Sequence, residues 1–265
     1  MSYPTLRLHP RKEESVLRFH PWIFSGAIAS FSAPVEDGDL VSVVDSKGRP
    51  LGTGHFGGGS IAVRLLSFDA EEVIDRAFYK RRLEAALRLR LSCDLVRPVG
   101  SSDSPNTTYR LVHGEGDSLP GLIIDIYDRT AVVQAHSLGM HQARQTIAEV
   151  LWEVFAEAGD PVLPLEGIYY KSETTLPTRD MRELASDGFL IGHTEAAPIY
   201  ENGVRFTPDW LKGQKTGFFI DQRDNRALVA HYAKGRTVLN AFCYTGGFSI
   251  YALHAGAKRV DSLDS

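Results

Sequence analysis

The chain has 265 residues, 43% hydrophobic and 23% charged, with a formal net charge of −4; this is a globular balance, long enough for two or three domains, and it excludes a wholly disordered chain. The mild acidic surplus excludes nucleic-acid binding by the whole surface, so RNA could be held only by local basic patches. Two isolated cysteines, Cys93 and Cys243, with no Cys/His cluster argue against a zinc site and a disulfide framework, and with neither a signal-type apolar region nor an 18-residue apolar run the expectation is a soluble cytoplasmic protein without a membrane partner.

Residues 3–68 read as short strands between glycine turns, among them 39–45 and 61–68, a pattern that suits a small barrel or sandwich. Trp22 and Phe24 could stack on bases or fill a core, and the Gly57-Gly58-Gly59 turn is either an RNA approach or a plain hairpin tip. Residues 71–92 follow helical spacing through Val73, Ala77, Leu83, Leu87 and Leu91. The opposite face carries Arg76, Lys80, Arg81, Arg82, Arg88 and Arg90, which is either a solvated helix face or a phosphate-facing stripe. A Ser-, Pro- and Asn-rich stretch from Pro98 to Thr107 marks a boundary.

Three strands follow, at 110–113, 121–127 and 130–135, then an amphipathic helix over 141–157 with Ala143, Ile147, Val150, Leu151, Val154 and Phe155 on one face. A strand at 167–171 and a hairpin around Asn202-Gly203 complete a small α+β unit over about 108–210. His113, Glu115 and Asp117 read as turn chemistry more readily than as metal ligands, since no second ligand pair accompanies them.

From Asp221 the pattern changes. Asp221 is suited to cap a helix running to Ala233, and 237–242 is a short apolar strand of the buried parallel type. A turn through Gly246-Gly247 leads into a helix over 248–255 closed by Gly256, and 259–264 is the next strand. Such a β-α-β corner lets a ligand approach bare backbone at a helix N-terminus, and Asp264, eighteen residues beyond Gly246, ends the second strand where an acid can take both ribose hydroxyls. The spacing supports Gly246, Gly247 and Asp264 and leaves open a dinucleotide or an S-adenosylmethionine ligand, although the G-x-G-x-x-G pattern of dinucleotide enzymes is absent.

The segments Gln214-Lys215-Thr216-Gly217-Phe218-Phe219-Ile220-Asp221-Gln222-Arg223 and Asn240-Ala241-Phe242-Cys243-Tyr244-Thr245-Gly246-Gly247-Phe248 resemble the cytosine-C5 methyltransferases of large-subunit rRNA. His20-Pro21-Trp22-Ile23-Phe24-Ser25-Gly26 and Arg110-Leu111-Val112-His113-Gly114-Glu115-Gly116-Asp117 extend the likeness along the chain. The resemblance implies a multidomain α/β and α+β protein. It would have a PUA-like β-barrel over 1–70, a basic helix and linker over 71–107, a central strand-strand-helix-strand-strand domain over 108–210 and the start of a Rossmann-like methyltransferase domain over 211–265. It also implies S-adenosylmethionine as cofactor and large-subunit rRNA as partner, with Arg76, Lys80, Arg81 and Arg82 as RNA contacts. Lys215, Phe219, Asp221 and Arg223 would lie beside the methionine moiety, Asn240, Tyr244, Gly246 and Gly247 would line the turn, and Asp264 would take the ribose.

Cytosine C5 is a poor nucleophile until a thiolate has added to C6, so this chemistry needs a placed cysteine. Cys93, at the end of the basic helix, does not suit that role, and Cys243 belongs to the binding turn and suits packing better. The catalytic cysteines are therefore expected beyond Ser265. The chain is expected to be a truncated enzyme without methyl-transfer activity, or to meet a second copy in a homodimer that covers its open sheet. Two other readings stay open: a non-catalytic RNA-binding or assembly module, and a nicotinamide-dependent oxidoreductase suggested only by the β-α-β unit.

Overall fold

The computed structural model describes residues 3–101, 103–177, 179–183 and 185–264, so the outermost positions of the first and last expected domains, 1–2 and 265, lie outside the described residues. The first unit contains β1 (Thr5–Leu8), α1 (Glu14–Leu17), β2 (Trp22–Phe24), β3 (Ile28–Phe31), β4 (Leu40–Val44), β5 (Pro50–Phe56) and β6 (Ile61–Ser67). The strands form one sheet in the order β2-β6-β5-β4-β1-β3. Its two edges, β2 and β3, are joined by residues 25–27 alone. That connection reaches roughly 14 Å, while five strand spacings of about 4.8 Å separate the edges of a flat sheet. The sheet must therefore roll up, and it closes around Leu6, Leu8, Ile23, Val41, Val43, Val63 and Leu65. The barrel expected for 1–70 follows from this connectivity.

The second unit begins earlier than the sequence suggests. Helix α2 (Arg76–Ser92) starts only after Asp75, whose carboxylate accepts from the Phe78 amide, so Val73 falls outside it and is exposed. The buried face is Phe78, Tyr79, Leu83, Ala86 and Leu87. These side chains share one core with β7 (Thr108–His113), β8 (Leu122–Tyr127), β9 (Thr130–Ala135), α4 (Arg144–Ala158) and β10 (Gly167–Tyr170). The expected helix-and-linker stretch 71–107 thus contributes its helix to the central core. A short α3 (Leu138–Gln142) precedes α4, and α5 (Arg179–Glu183) precedes β11 (Gly188–Gly192). The sheet order is β11-β10-β9-β8-β7, with β9 and β10 parallel across the α4 connection. Three strands precede the helix, as the residue pattern suggested, where the strand-strand-helix-strand-strand description has two. The other face of this sheet is covered by Ile199, Trp210, Phe218 and Ile220, with Trp210 stacked on Tyr127 at 6.1 Å. Cover on both faces explains why β9 and β10 are buried at every position and lack polar alternation.

The hairpin β12 (Ile199–Glu201) and β13 (Val204–Phe206) turns at Asn202 and Gly203, both at positive φ as a two-residue primed turn demands. It ties backward through Thr107 and Pro105 and forward through the Tyr251 hydroxyl, which donates to the Glu201 carbonyl, so the limit drawn at 210 crosses packed structure. The last unit holds α6 (Arg223–Ala233), β14 (Thr237–Ala241), α7 (Gly247–His254) and β15 (Arg259–Leu263). Asp221 does not cap α6. Residues 220–222 form a 3-10 turn and Gln222 takes the N-cap position without a side-chain bond. β14 and β15 pair in parallel, but β14 is not buried, and Leu239, Phe242 and Leu263 are exposed. Among the described residues no helix is long and apolar enough to cross a membrane.

Candidate cofactor cavity

The parallel pair sets the corner. Asn240 lies opposite Ser262 and Ala241 opposite Leu263, so the turn after β14 faces the end of β15. Phe242, Tyr244 and Gly246 all take positive φ, reversing the chain within five residues and delivering it to the N-terminus of α7. The Asp264 carboxylate accepts from the Tyr244 amide at 2.5 Å and fixes the turn against the neighbouring strand. Beside it lies a cavity of about 460 Å³ whose wall includes Lys215, Phe219, Asp221, Tyr244, Gly247 and Asp264. That volume suits a nucleoside with an attached amino-acid chain.

The opposite wall is a loop held by the central domain. The Lys171 ammonium donates to the Gly213 carbonyl at 2.6 Å, and the Gln134 amide donates to the Lys215 carbonyl at 3.2 Å. The Thr216 hydroxyl donates to Asp125 at 2.5 Å and pairs with the Tyr127 hydroxyl at 2.9 Å. Gly217 sits at φ +121 with the Trp210 Cα only 2.7 Å from where a Cβ would stand, so no side chain fits there. The loop presents Lys215 over the Phe219 ring at 4.3 Å, and Phe219 meets Tyr244 edge-on at 5.2 Å. The Tyr244 hydroxyl accepts from the Gln214 amide at 2.9 Å, closing the ring of contacts.

Asp221 lies 4.0 Å from the Lys215 ammonium. Partial burial raises its carboxyl pKa, but the Gln222 hydrogen bond and the charges of Lys215 and Arg110 outweigh this and hold it below the ordinary carboxylate value. The cavity wall therefore brings together the carboxyl groups of Asp221 and Asp264 and the first residues of α7. It can grip an ammonium group with one carboxylate and two vicinal hydroxyls with the other.

Three expected residues are placed differently. Arg223 does not reach the cavity: at the first position of α6 it donates to the Thr108 carbonyl at 2.5 Å and lies in a neighbouring cleft. Asn240 donates to Ser249 at 2.8 Å, and Ser249 meets Ser262 at 2.7 Å, so Asn240 ties β14 to α7 and β15. Gly246 makes the left-handed turn at φ +79 that starts the helix, and Gly247 supplies the wall. The residue that the sequence reading missed is Arg226. Its guanidinium forms two bonds to Glu201 at 2.8 and 2.7 Å, donates to the Phe219 carbonyl at 3.0 Å, and lies over the Phe218 ring at 4.6 Å. A Cβ on Gly247 would stand 3.2 Å from the Arg226 Cδ, so the second glycine of the turn makes room for this arginine.

The four cations of α2 expected to contact RNA all take part in ion pairs. Arg76 pairs with Glu153 at 2.7 Å, Lys80 with Glu153 at 2.5 Å and Glu157 at 2.9 Å, Arg81 with Glu72 at 2.8 Å, and Arg82 with Glu72 at 3.4 Å. The helix packs beside α4, whose Glu153 and Glu157 pair with Arg76 and Lys80, while Glu72, ahead of α2, pairs with Arg81 and Arg82. Arg90 is buried and holds Asp117 with both terminal nitrogens, and Glu115 accepts from the Trp22 indole at 2.7 Å. Both carboxylates thus serve the join between the barrel, α2 and the central sheet.

Residues 6–68 match the family described as a PUA-like domain, and residues 177–265 match the S-adenosylmethionine-dependent methyltransferase family. Proteins named ribosomal RNA large subunit methyltransferase I from Shewanella amazonensis and Pseudoalteromonas atlantica are each 40% identical to this chain, over 98% and 97% of its length. The chain spans 62% of the length of each. A Streptococcus mutans protein assigned to the SAM-dependent methyltransferases shares the fold, with a TM-score of 0.78 at 24% identity over 100% of this chain and 63% of its own. A further crystal structure of an assigned methyltransferase, complexed with SAH, gives the same TM-score at 23% identity. The fold is thus mixed α/β and multidomain, with a PUA-like barrel in front and a methyltransferase fold behind.

Proposed function

We propose that this chain forms the RNA-docking and cofactor-binding part of an S-adenosylmethionine-dependent methyltransferase that acts on cytosine C5 of large-subunit rRNA in the cytoplasm. One observation carries the reading: a single cavity is lined by Asp264, directly after β15, by the Lys215–Asp221 pair and by the start of α7. The names of the relatives supply the substrate class. When bound, S-adenosylmethionine supplies an electrophilic methyl group. Asp264 accepts hydrogen bonds from the ribose hydroxyls, and Asp221 faces the ammonium of the amino-acid end. Phe219 and Tyr244 give the cavity an apolar flank. Arg226, held by two bonds to Glu201, keeps the Phe218 side in shape.

Asp264→Asn should weaken S-adenosylmethionine binding roughly 10- to 100-fold, the cost of losing charge-assisted hydrogen bonds. Titration calorimetry of residues 1–265 with S-adenosylmethionine, S-adenosylhomocysteine and NAD reads this directly. Tight binding of NAD, or an unchanged constant for Asp264→Asn, would remove the reading.

Residues 1–265 by themselves should bind the cofactor and transfer no methyl group. Cys93 is exposed at the end of α2, and the Cys243 thiol lies in the turn directed at the Tyr244 carbonyl. Cys93 does not line the cavity, and Cys243, although part of its wall, belongs to the turn that holds the cofactor, so neither is expected to add to C6. Tritium transfer from labelled S-adenosylmethionine to rRNA checks this, with counts above a no-protein blank as the contrary result. The alternative to a longer chain is a homodimer, in which a second copy would cover the exposed Leu239, Phe242 and Leu263.

A further inference from the structure

A second cleft, of about 360 Å³, opens where the barrel, the central sheet and the cofactor loop meet. Arg64 reaches it from β6, Arg110 and His136 from the central domain, and Lys215 from the loop, with Glu115 as its acid. Lys215 also belongs to the cofactor cavity, so the two spaces share a wall.

Arg64 is the telling residue. It is half-buried on β6, and its stem passes close to Gly121, where a Cβ would stand 3.7 Å from the Arg64 Cδ. Gly121 itself, at φ +87, has no room for a side chain because the Ser137 hydroxyl would be 2.7 Å away. Among the described residues no hydrogen bond or ion pair satisfies the Arg64 guanidinium. Burial pulls its pKa below the ordinary arginine value, with Glu115 opposing from a distance. That Glu115 carboxylate is already engaged by the Trp22 indole. A guanidinium drawn from water without an acceptor costs free energy that an incoming anion would recover. Arg110 is differently placed: Nε and one terminal nitrogen hold the buried Asp125 at 2.8 and 2.9 Å, and its other terminal nitrogen lies 3.4 Å from His113. Partial desolvation, then the charges of Arg110 and Arg64, hold His136 below its ordinary value, so the ring stays neutral between the two arginines.

We infer that this cleft is a phosphodiester-binding site, in which one backbone phosphate of single-stranded RNA lies between Arg64 and Arg110 and the strand continues past Lys215 towards the cofactor cavity. The inference rests on the reading that the substrate is RNA. Three cations converge here against one exposed acid, whereas the cations of α2 are each matched by carboxylates. The space is the size of about one nucleotide. Arg64 comes from the barrel and Lys215 from the cofactor loop, so one phosphate there would fix the register of the strand between the docking module and the chemistry.

The test is fluorescence anisotropy with a labelled single-stranded RNA of roughly 12 nucleotides, over a potassium chloride series, on the full chain. Arg64→Gln should weaken binding about five- to ten-fold at low salt and reduce the salt slope by about 0.7, the loss of one phosphate contact. Glu115→Gln should tighten binding, because Gln still accepts from Trp22 but no longer repels the phosphate. Arg76→Gln should leave binding unchanged, and all three should keep the wild-type calorimetric constant for S-adenosylmethionine. RNA binding by Arg64→Gln within two-fold of wild type with an unaltered slope overturns the inference while sparing the RNA reading, as does weaker binding by Glu115→Gln. A wild-type chain that binds S-adenosylmethionine but shows no salt-dependent RNA affinity overturns both.

Discussion

Glu201→Ala should lower stability by about 3–5 kcal/mol and the thermal midpoint by on the order of 10 °C. Glu201 is fully buried and accepts both bonds from Arg226, itself 2% exposed, while Arg223 Nε lies 3.7 Å away. Removing the carboxylate strands two guanidinium groups in the interior with backbone carbonyls as their remaining acceptors, the situation in which a broken buried pair costs most. The damage should reach the cofactor cavity, because Arg226 is the prop beneath Phe218 and beside Gly247. Glu201→Gln keeps an acceptor and should cost less. Replacing Glu201 and Arg226 together by Met should recover part of the loss, as double-mutant logic requires for a coupled pair. Thermal unfolding of the four proteins decides the point, and a Glu201→Ala midpoint within 2–3 °C of wild type, about 1 kcal/mol, would show that the pair is not what holds this junction.

Asp125→Ala should have the second largest effect, with a different signature. Asp125 is fully buried and receives two bonds from Arg110 and one from the Thr216 hydroxyl. Arg110 is partly solvated, so its loss of a partner is cushioned, and a stability cost of about 2–3 kcal/mol is expected. The Thr216 hydroxyl, however, loses the acceptor that fixes the loop carrying Lys215 and Phe219. Cofactor affinity should therefore fall about ten-fold although Asp125 does not line the cavity. Asp264→Asn should show the converse, with weaker binding and little change in the midpoint of the ligand-free protein. Parallel calorimetry and unfolding separate the two. Equal cofactor constants for Asp125→Ala and wild type would mean that the loop keeps its shape without this anchor.

Local patterns were the readable part of the sequence. Helix α4 was legible because Ile147, Val150, Leu151, Val154 and Phe155 repeat on one helical face, and all are buried. The Asn202-Gly203 turn was legible because few residues accept two successive positive φ values. Gly247 and Asp264 were legible because a β-α-β corner fixes their separation, and both reach the cavity. What was not legible depended on partners distant in sequence. The ion pairs of Arg76 and Lys80 were not legible because Glu153 and Glu157 lie more than seventy residues on, and nothing local predicts that α4 packs beside α2. Arg226 was missed because its partner sits 25 residues upstream on a hairpin. Arg223 lies elsewhere because the turn at 220–222 sets the phase of α6, and that phase directs the first side chain to the start of β7.

The anchoring of the 213–217 loop to Lys171, Gln134, Tyr127 and Asp125 carries a thermodynamic obligation. One wall of the cavity belongs to the C-terminal unit and the other is on loan from the middle of the chain, so occupancy and docking are two readings of a single coupling energy. Whatever factor the docked arrangement adds to ligand affinity, the ligand must return as resistance of that junction to opening. Saturating ligand should therefore slow hydrogen exchange at the Thr216 and Gly217 amides as well as at the rim of the Gly246 turn.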